Sequence, residues 1–135
     1  MKGVPGAEIA RRRAAGEDVS TVDRVPLLMF FGDTSASAVE SAVRAESGKY
    51  PQAIVLECTW LDRPTTIDEE DDSHCSWESI EPIIRSVPVG STTWILIHFS
   101  RRYSDQQVRE FFAARLTGLP NVVIWLHSGP VSIQK

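Results

Sequence analysis

The chain has 135 residues, enough for one domain, and a hydrophobic fraction of 42% that can supply a core. A net charge of −4 argues against bulk attraction to nucleic acid but leaves room for a local basic patch. No stretch approaches the ~20 apolar residues of a membrane span, no apolar run follows Lys2 to make a secretory leader, and two cysteines are too few for a disulfide framework. The expected setting is therefore intracellular, whether cytoplasmic, nuclear or organellar, with no membrane partner.

Residues 1–24 are polar and rich in small side chains. A Pro5-Gly6 turn signal precedes a short helix over 8–15 that carries Arg11, Arg12 and Arg13 and ends at Gly16. Taken alone, the arginine triplet reads as a solvated helix face rather than an RNA contact. The domain proper is expected over 25–127. It opens with an apolar run over 25–31, which predicts a buried strand. Gly32, Asp33 and Thr34 break that run. Ser35 then caps a helix over 36–45, with Ala38, Val39, Ala42 and Val43 at helical spacing. Asp33 falls between a strand end and a helix start, where aspartate most often serves as a cap or turn residue.

Tyr50-Pro51 resets the chain. A second strand is expected over 53–56, with Glu57 at its end. The acidic run 68–72 holds no apolar residue and reads as a solvated, mobile loop. His74 closes it and begins a helix over 75–85, whose inner face is Trp77, Ile80, Ile83 and Ile84. Pro82 is tolerable there only if the first turn starts late.

The run Thr93-Trp94-Ile95-Leu96-Ile97-His98-Phe99-Ser100-Arg101-Arg102-Tyr103 is the most informative stretch. Its apolar part, 94–97, predicts a buried strand. That strand delivers an imidazole to its carboxyl end, with hydroxyl and guanidinium groups just beyond. His98 could equally be an ordinary strand terminus. Ser104 or Asp105 caps a helix over 106–116 that buries Val108, Phe111, Phe112 and Leu116. Gly118-Leu119-Pro120 stops it, and Asn121 turns the chain into a last strand over 122–126. His127 ends that strand, and the tail 128–135 is expected to fray.

Alternating strands and helices around one sheet predict an α/β fold. Right-handed crossovers between parallel strands place the strand ends on one rim. Asp33, Glu57 and His98 each sit at such an end, and the three together say more than any one alone. Carboxylate and imidazole suit zinc, manganese or iron. Glu57 and His74 suit proton transfer, because a carboxylate beside an imidazole fixes its tautomer. Ser100 and Arg102 suit a phosphate oxygen. The set points to metal-assisted hydrolysis of a phosphodiester. Ligand arithmetic limits this, since a catalytic zinc keeps three protein ligands and a two-metal site needs more. The histidines are His74, His98 and His127, in neither an H-x-H nor an H-x-x-H arrangement. A structural zinc site from Cys58, Cys75, His74 and His98 lacks paired C-x-x-C spacing.

Several short motifs resemble the C-terminal half of ribonuclease Z, the tRNA 3′-end processing endonuclease of the metallo-β-lactamase superfamily, and most closely its short plant-type form. They run from Gly32-Asp33-Thr34, through Glu57-Cys58-Thr59-Trp60-Leu61-Asp62 and His74, to His98-Phe99-Ser100-Arg101-Arg102-Tyr103. The last is the most specific. Val4-Pro5-Gly6 and Gly16-Glu17-Asp18-Val19 resemble the segment before the family's GDT motif, so the likeness covers about residues 4–127.

The resemblance implies the C-terminal half of a metallo-β-lactamase αββα sandwich. Asp33 would bridge two metal ions, usually zinc, and His98 would be a terminal ligand of one. Glu57 and His74 would form the proton-transfer pair that assists the leaving 3′-oxygen of precursor tRNA. Ser100, Arg102 and Tyr103 would lie near the scissile phosphate. His127 matches no family motif and reads as structural. The family's H-x-H-x-D-H motif, its later single histidine ligand and its tRNA-gripping arm do not occur in these residues. Leu56 stands where many members have histidine, a departure the plant-type form shares. The expectation is a chain inactive alone and completed by a complementary N-terminal half or a homodimer partner. The alternative is a non-catalytic interaction module that keeps the fold.

Overall fold

A computed structural model describes residues 5–19, 26–45, 49–62 and 73–131. Val4, Val25, the acidic run 68–72 and the end of the tail, 132–135, lie outside the described residues. The elements are α1 (Gly6–Ala14), β1 (Leu28–Phe30), α2 (Ala36–Ala45), β2 (Ala53–Glu57), α3 (Trp77–Ser86), β3 (Thr93–Ile97), α4 (Asp105–Arg115), β4 (Val122–Leu126) and β5 (Gly129–Val131). The α/β alternation expected from the sequence is what forms.

One sheet carries the strands in the order β1-β2-β3-β4-β5. The first four are parallel, in a register that sets Glu57 beside Ile97, and β5 returns antiparallel to β4. Spatial order here equals chain order. Right-handed crossovers of that kind put every connecting helix on the same face. Accordingly α2 packs on α3, and Trp77 of α3 meets Phe112 of α4 edge to face at 5.0 Å. The sheet face beneath them supplies Ile54, Leu56, Trp94, Leu96, Ile124 and Leu126, all buried. The intervening residues point to the other face, because strand side chains alternate.

That other face is apolar and, among the described residues, thinly covered. Val55, Ile95, Ile97 and Val123 are half-buried on it, while Leu28 and Phe30 are 61% and 64% exposed. This corrects the expectation of a buried first strand. β1 is an edge strand with β2 as its neighbour, and two of its three residues face the bare side.

Two local features also differ from expectation. α3 begins at Trp77 rather than 75, because Ser76 caps it through a reciprocal bond pair with Ser79. Even so, Pro82 lies in the second turn, where its missing N–H leaves the Glu78 carbonyl without its helical partner. Burial of Trp77, Ile80, Ile83 and Ile84 keeps the helix running to Ser86. The start of the tail does not fray either. His127 and Ser128 form a two-residue turn, with Gly129 beyond it at φ 111°. The Ser128 hydroxyl donates to Asp105 Oδ2 at 2.5 Å, tying that turn to α4. Pro130 is acceptable on β5 because an edge strand leaves one side unpaired. α1 buries none of its residues. Its Glu8 pairs with Arg11 and Arg12, whose guanidinium groups hold the carboxyl below its usual range, in keeping with a solvated face.

Candidate functional site

Parallel strands deliver their carboxyl ends to one rim, and three loops meet there. Glu57 is the last residue of β2 and is 1% exposed. Its Oε1 accepts from the Thr34 N–H at 3.0 Å, the Cys75 N–H at 3.2 Å and His74 Nδ1 at 3.1 Å. Its Oε2 accepts from the Thr59 N–H at 3.2 Å and, in a shorter contact, from the Thr59 hydroxyl. One carboxylate therefore gathers the loop after β1, the loop after β2 and the approach to α3. A backbone bridge between Trp60 and Ser76 reinforces this, with the Trp77 N–H on the Trp60 carbonyl at 2.9 Å.

His98 follows β3 with φ at 61°, the one positive φ among described residues other than glycine. This left-handed conformation costs an L-residue roughly 1–2 kcal/mol. It turns the chain sharply, so that the Ser100 N–H reaches the Thr59 carbonyl at 2.9 Å. The His98 ring then lies with Nδ1 3.1 Å from the Thr59 hydroxyl, 3.7 Å from Asp33 Oδ1 and 4.0 Å from Glu57 Oε2. It stacks beside His74 with ring centroids 5.9 Å apart.

Asp33, His74 and His98 can each offer one ligand atom within 4.8 Å of the other two. Exposure grades across the group, from Glu57 at 1% through the His74 side chain at 29% to those of His98 at 54% and Asp33 at 67%. The arrangement is thus a buried carboxylate behind an open ring of two imidazoles and an aspartate. Two nitrogens and an oxygen suit zinc, manganese or iron. With Nδ1 of His74 donating to Glu57, its Nε2 is left for a metal or a proton, the usual outer-sphere arrangement of a ligating histidine.

The cysteines do not join this ring. The Cys58 thiol donates to the Trp60 carbonyl and the Cys75 thiol to the Thr34 carbonyl. Burial, with Cys75 and then Glu57 adding to it, pushes the Cys58 thiol well above the ordinary thiol range. Neither thiol belongs to the group of ligand atoms formed by Asp33, His74 and His98, which disfavours the structural-zinc alternative.

Of the residues singled out in the sequence, Asp33, Glu57, His74 and His98 converge. Ser100 and Tyr103 line a cleft next to His98. Arg102 does not line it, since its guanidinium lies 4.6 Å over the Trp60 ring. Arg101 takes the place in the cleft wall that was expected of Arg102, and His127, read as structural, lines the same cleft. Sequence reasoning missed Thr59, whose hydroxyl lies within 3.4 Å of both histidines and bonds Glu57. The available signal was the period-two side-chain alternation past Glu57, which returns residue 59 to the same side. No family model matches the chain, and no curated protein matches it.

Proposed function

We propose that these residues form the C-terminal half of a ribonuclease Z-like endoribonuclease, which hydrolyses a phosphodiester at the 3′ end of precursor tRNA with the help of zinc. The convergence of Asp33, His74 and His98 in front of the buried Glu57 carries this reading. In it, Asp33 and His98 hold zinc together with histidines from a complementary half bearing the H-x-H-x-D-H motif. Zinc held there would supply activation of the attacking water and charge stabilisation at the phosphate. His74, oriented by Glu57, gives a proton to the leaving 3′-oxygen. Thr59 holds both rings in place, and Ser100 and Tyr103, which line the cleft beside His98, lie on the side from which the phosphate approaches, while Arg102 stays over Trp60.

The β1 end of that apolar sheet face, where Leu28 and Phe30 are exposed, fits the same reading, as the surface on which the complementary half or a second copy would rest while the β4 end with Trp125 stays open. At about 25 cal/mol per Å2 of apolar area, leaving a sheet face open is a large loss for a small domain. Without the other half, the chain is expected to self-associate through this face. Phe30→Lys, at an exposed position, is expected to shift it to monomer in sedimentation velocity with less than about 0.5 kcal/mol change in stability. Unaltered association would place the contact elsewhere.

Cleavage tests the chemistry. Alone, these residues are expected neither to bind two zinc ions in calorimetry nor to cut precursor tRNA. Adding a separately made half with the H-x-H-x-D-H motif is expected to restore both, and Asp33→Ala to abolish them. Tight binding of two ions by these residues alone would contradict the half-site. Restored cleavage that survives Asp33→Ala would instead favour a non-catalytic interaction module.

A further inference from the structure

The carboxyl ends of β3 and β4 and the start of α4 enclose an open cleft of about 730 Å3. It includes His98, so whatever fills it lies against the candidate metal ring. Its volume falls in the ordinary range for a small ligand, about 300–1,000 Å3. Its walls are of two kinds. Trp125 is a large aromatic side chain left 51% exposed, on the sheet side away from the helices, and Tyr103 is half-buried. Arg101, Ser100 and His127 supply hydrogen-bond donors.

Arg101 differs from most other described arginines. Arg44 and Arg85 pair with the glutamates one turn before them, Arg109 donates to Ser128, and Arg102 covers Trp60. Arg101 makes no ion pair or hydrogen bond among the described residues, and it is exposed. The single acid on the wall, Asp105, is already engaged by the Ser128 hydroxyl, which in turn accepts from Arg109. The cleft therefore offers an unpaired cation, hydroxyl and imidazole donors, and an exposed indole.

We infer that this cleft is a nucleotide subsite. Arg101, with Ser100 and His127, holds the phosphate of a single-stranded ribonucleotide next to the scissile bond, and Trp125 stacks on its base. The ligand class rests on the proposed phosphodiesterase reading; the aromatic and cationic walls do not. Stacking of a base on an aromatic ring contributes about 1–3 kcal/mol and tolerates any base, which suits a trailer of varied sequence. Arg101 contributes charge-assisted bonds that fall off with salt.

A nuclear magnetic resonance titration of the full chain with adenosine 5′-monophosphate in EDTA tests this without any metal. The Trp125 indole N–H and the backbone amides of Ser100 and Arg101 are expected to move together. Trp125→Ala and Arg101→Ala, both at exposed positions, are each expected to weaken binding at least about fivefold, the low end of base stacking. The amides of Ser100 and residue 101 report the affinity in both variants. Adenosine or inorganic phosphate alone is expected to bind more weakly than the nucleotide. Absence of movement at Trp125 with millimolar nucleotide overturns the subsite, as does phosphate binding as tightly as the nucleotide. Nucleotide binding with no zinc-dependent cleavage in the reconstituted pair would sink the hydrolase and leave the cleft. Cleavage without nucleotide binding would sink the cleft alone.

Discussion

Glu57→Ala is expected to destabilise the chain by about 3–5 kcal/mol, one of the largest effects of any single substitution here. The loss is not a packing loss. Removing the carboxylate strands the N–H groups of Thr34, Thr59 and Cys75, which all bond it now. Each buried donor left without an acceptor costs about 1–3 kcal/mol, part of which local relaxation recovers. His74 and the Thr59 hydroxyl lose their partner at the same time, so zinc affinity in the reconstituted pair falls as well. Glu57→Gln keeps the shape and one acceptor oxygen, and is expected to lie between wild type and alanine. Thermal unfolding followed by circular dichroism reads all three. A cost below about 1 kcal/mol for alanine would mean that the rim is not organised around this carboxylate.

The second large effect lies at His98, where strain and function oppose each other. At φ 61° a β-carbon is disfavoured, so glycine fits the backbone better than alanine does. His98→Gly is therefore expected to be about 1 kcal/mol more stable than His98→Ala. Both variants lose the imidazole, and both are expected to lower reconstituted cleavage by at least about 100-fold, as befits a direct metal ligand rather than an outer-sphere one. Strain of this kind persists where the surroundings over-determine it. Here the Thr59 contacts to the ring and to the His98 carbonyl do so. Equal stability of the glycine and alanine variants would remove the strain argument. Cleavage retained by both would remove the ligand role.

These effects fall on residues that were readable at different depths. The helices expected over 36–45 and 106–116, the second of which forms over 105–115, could be placed from apolar spacing and from caps at Ser35 and at Ser104 or Asp105, since both are local properties of a few neighbouring side chains. The strands ending near Glu57 and His98 could be placed for the same reason. β1 could not be judged correctly, because an apolar run reads alike whether its sheet has one covered face or two. Arg101 and Arg102 could not be told apart. Arg101 lines the cleft and Arg102 covers Trp60, a division set by the path of the turn after His98 and not by the residue types. Thr59 escaped notice because its importance lies in four groups from three residues, Glu57 at the end of β2 and His74 and His98 in two other segments.

By itself, then, the order of residues determined the alternation of strand and helix and the arrival of Asp33, Glu57 and His98 at segment ends. Those outcomes follow from spacing, capping and chain breaks, which act over a few residues. Only the tertiary structure decided that His74 joins the ring, that Glu57 is buried beneath it, that one sheet face stays bare among the described residues, and that Trp125 and His127 line a cleft. Each of those depends on strand order, crossover hand and register, which bring together side chains tens of residues apart in the chain.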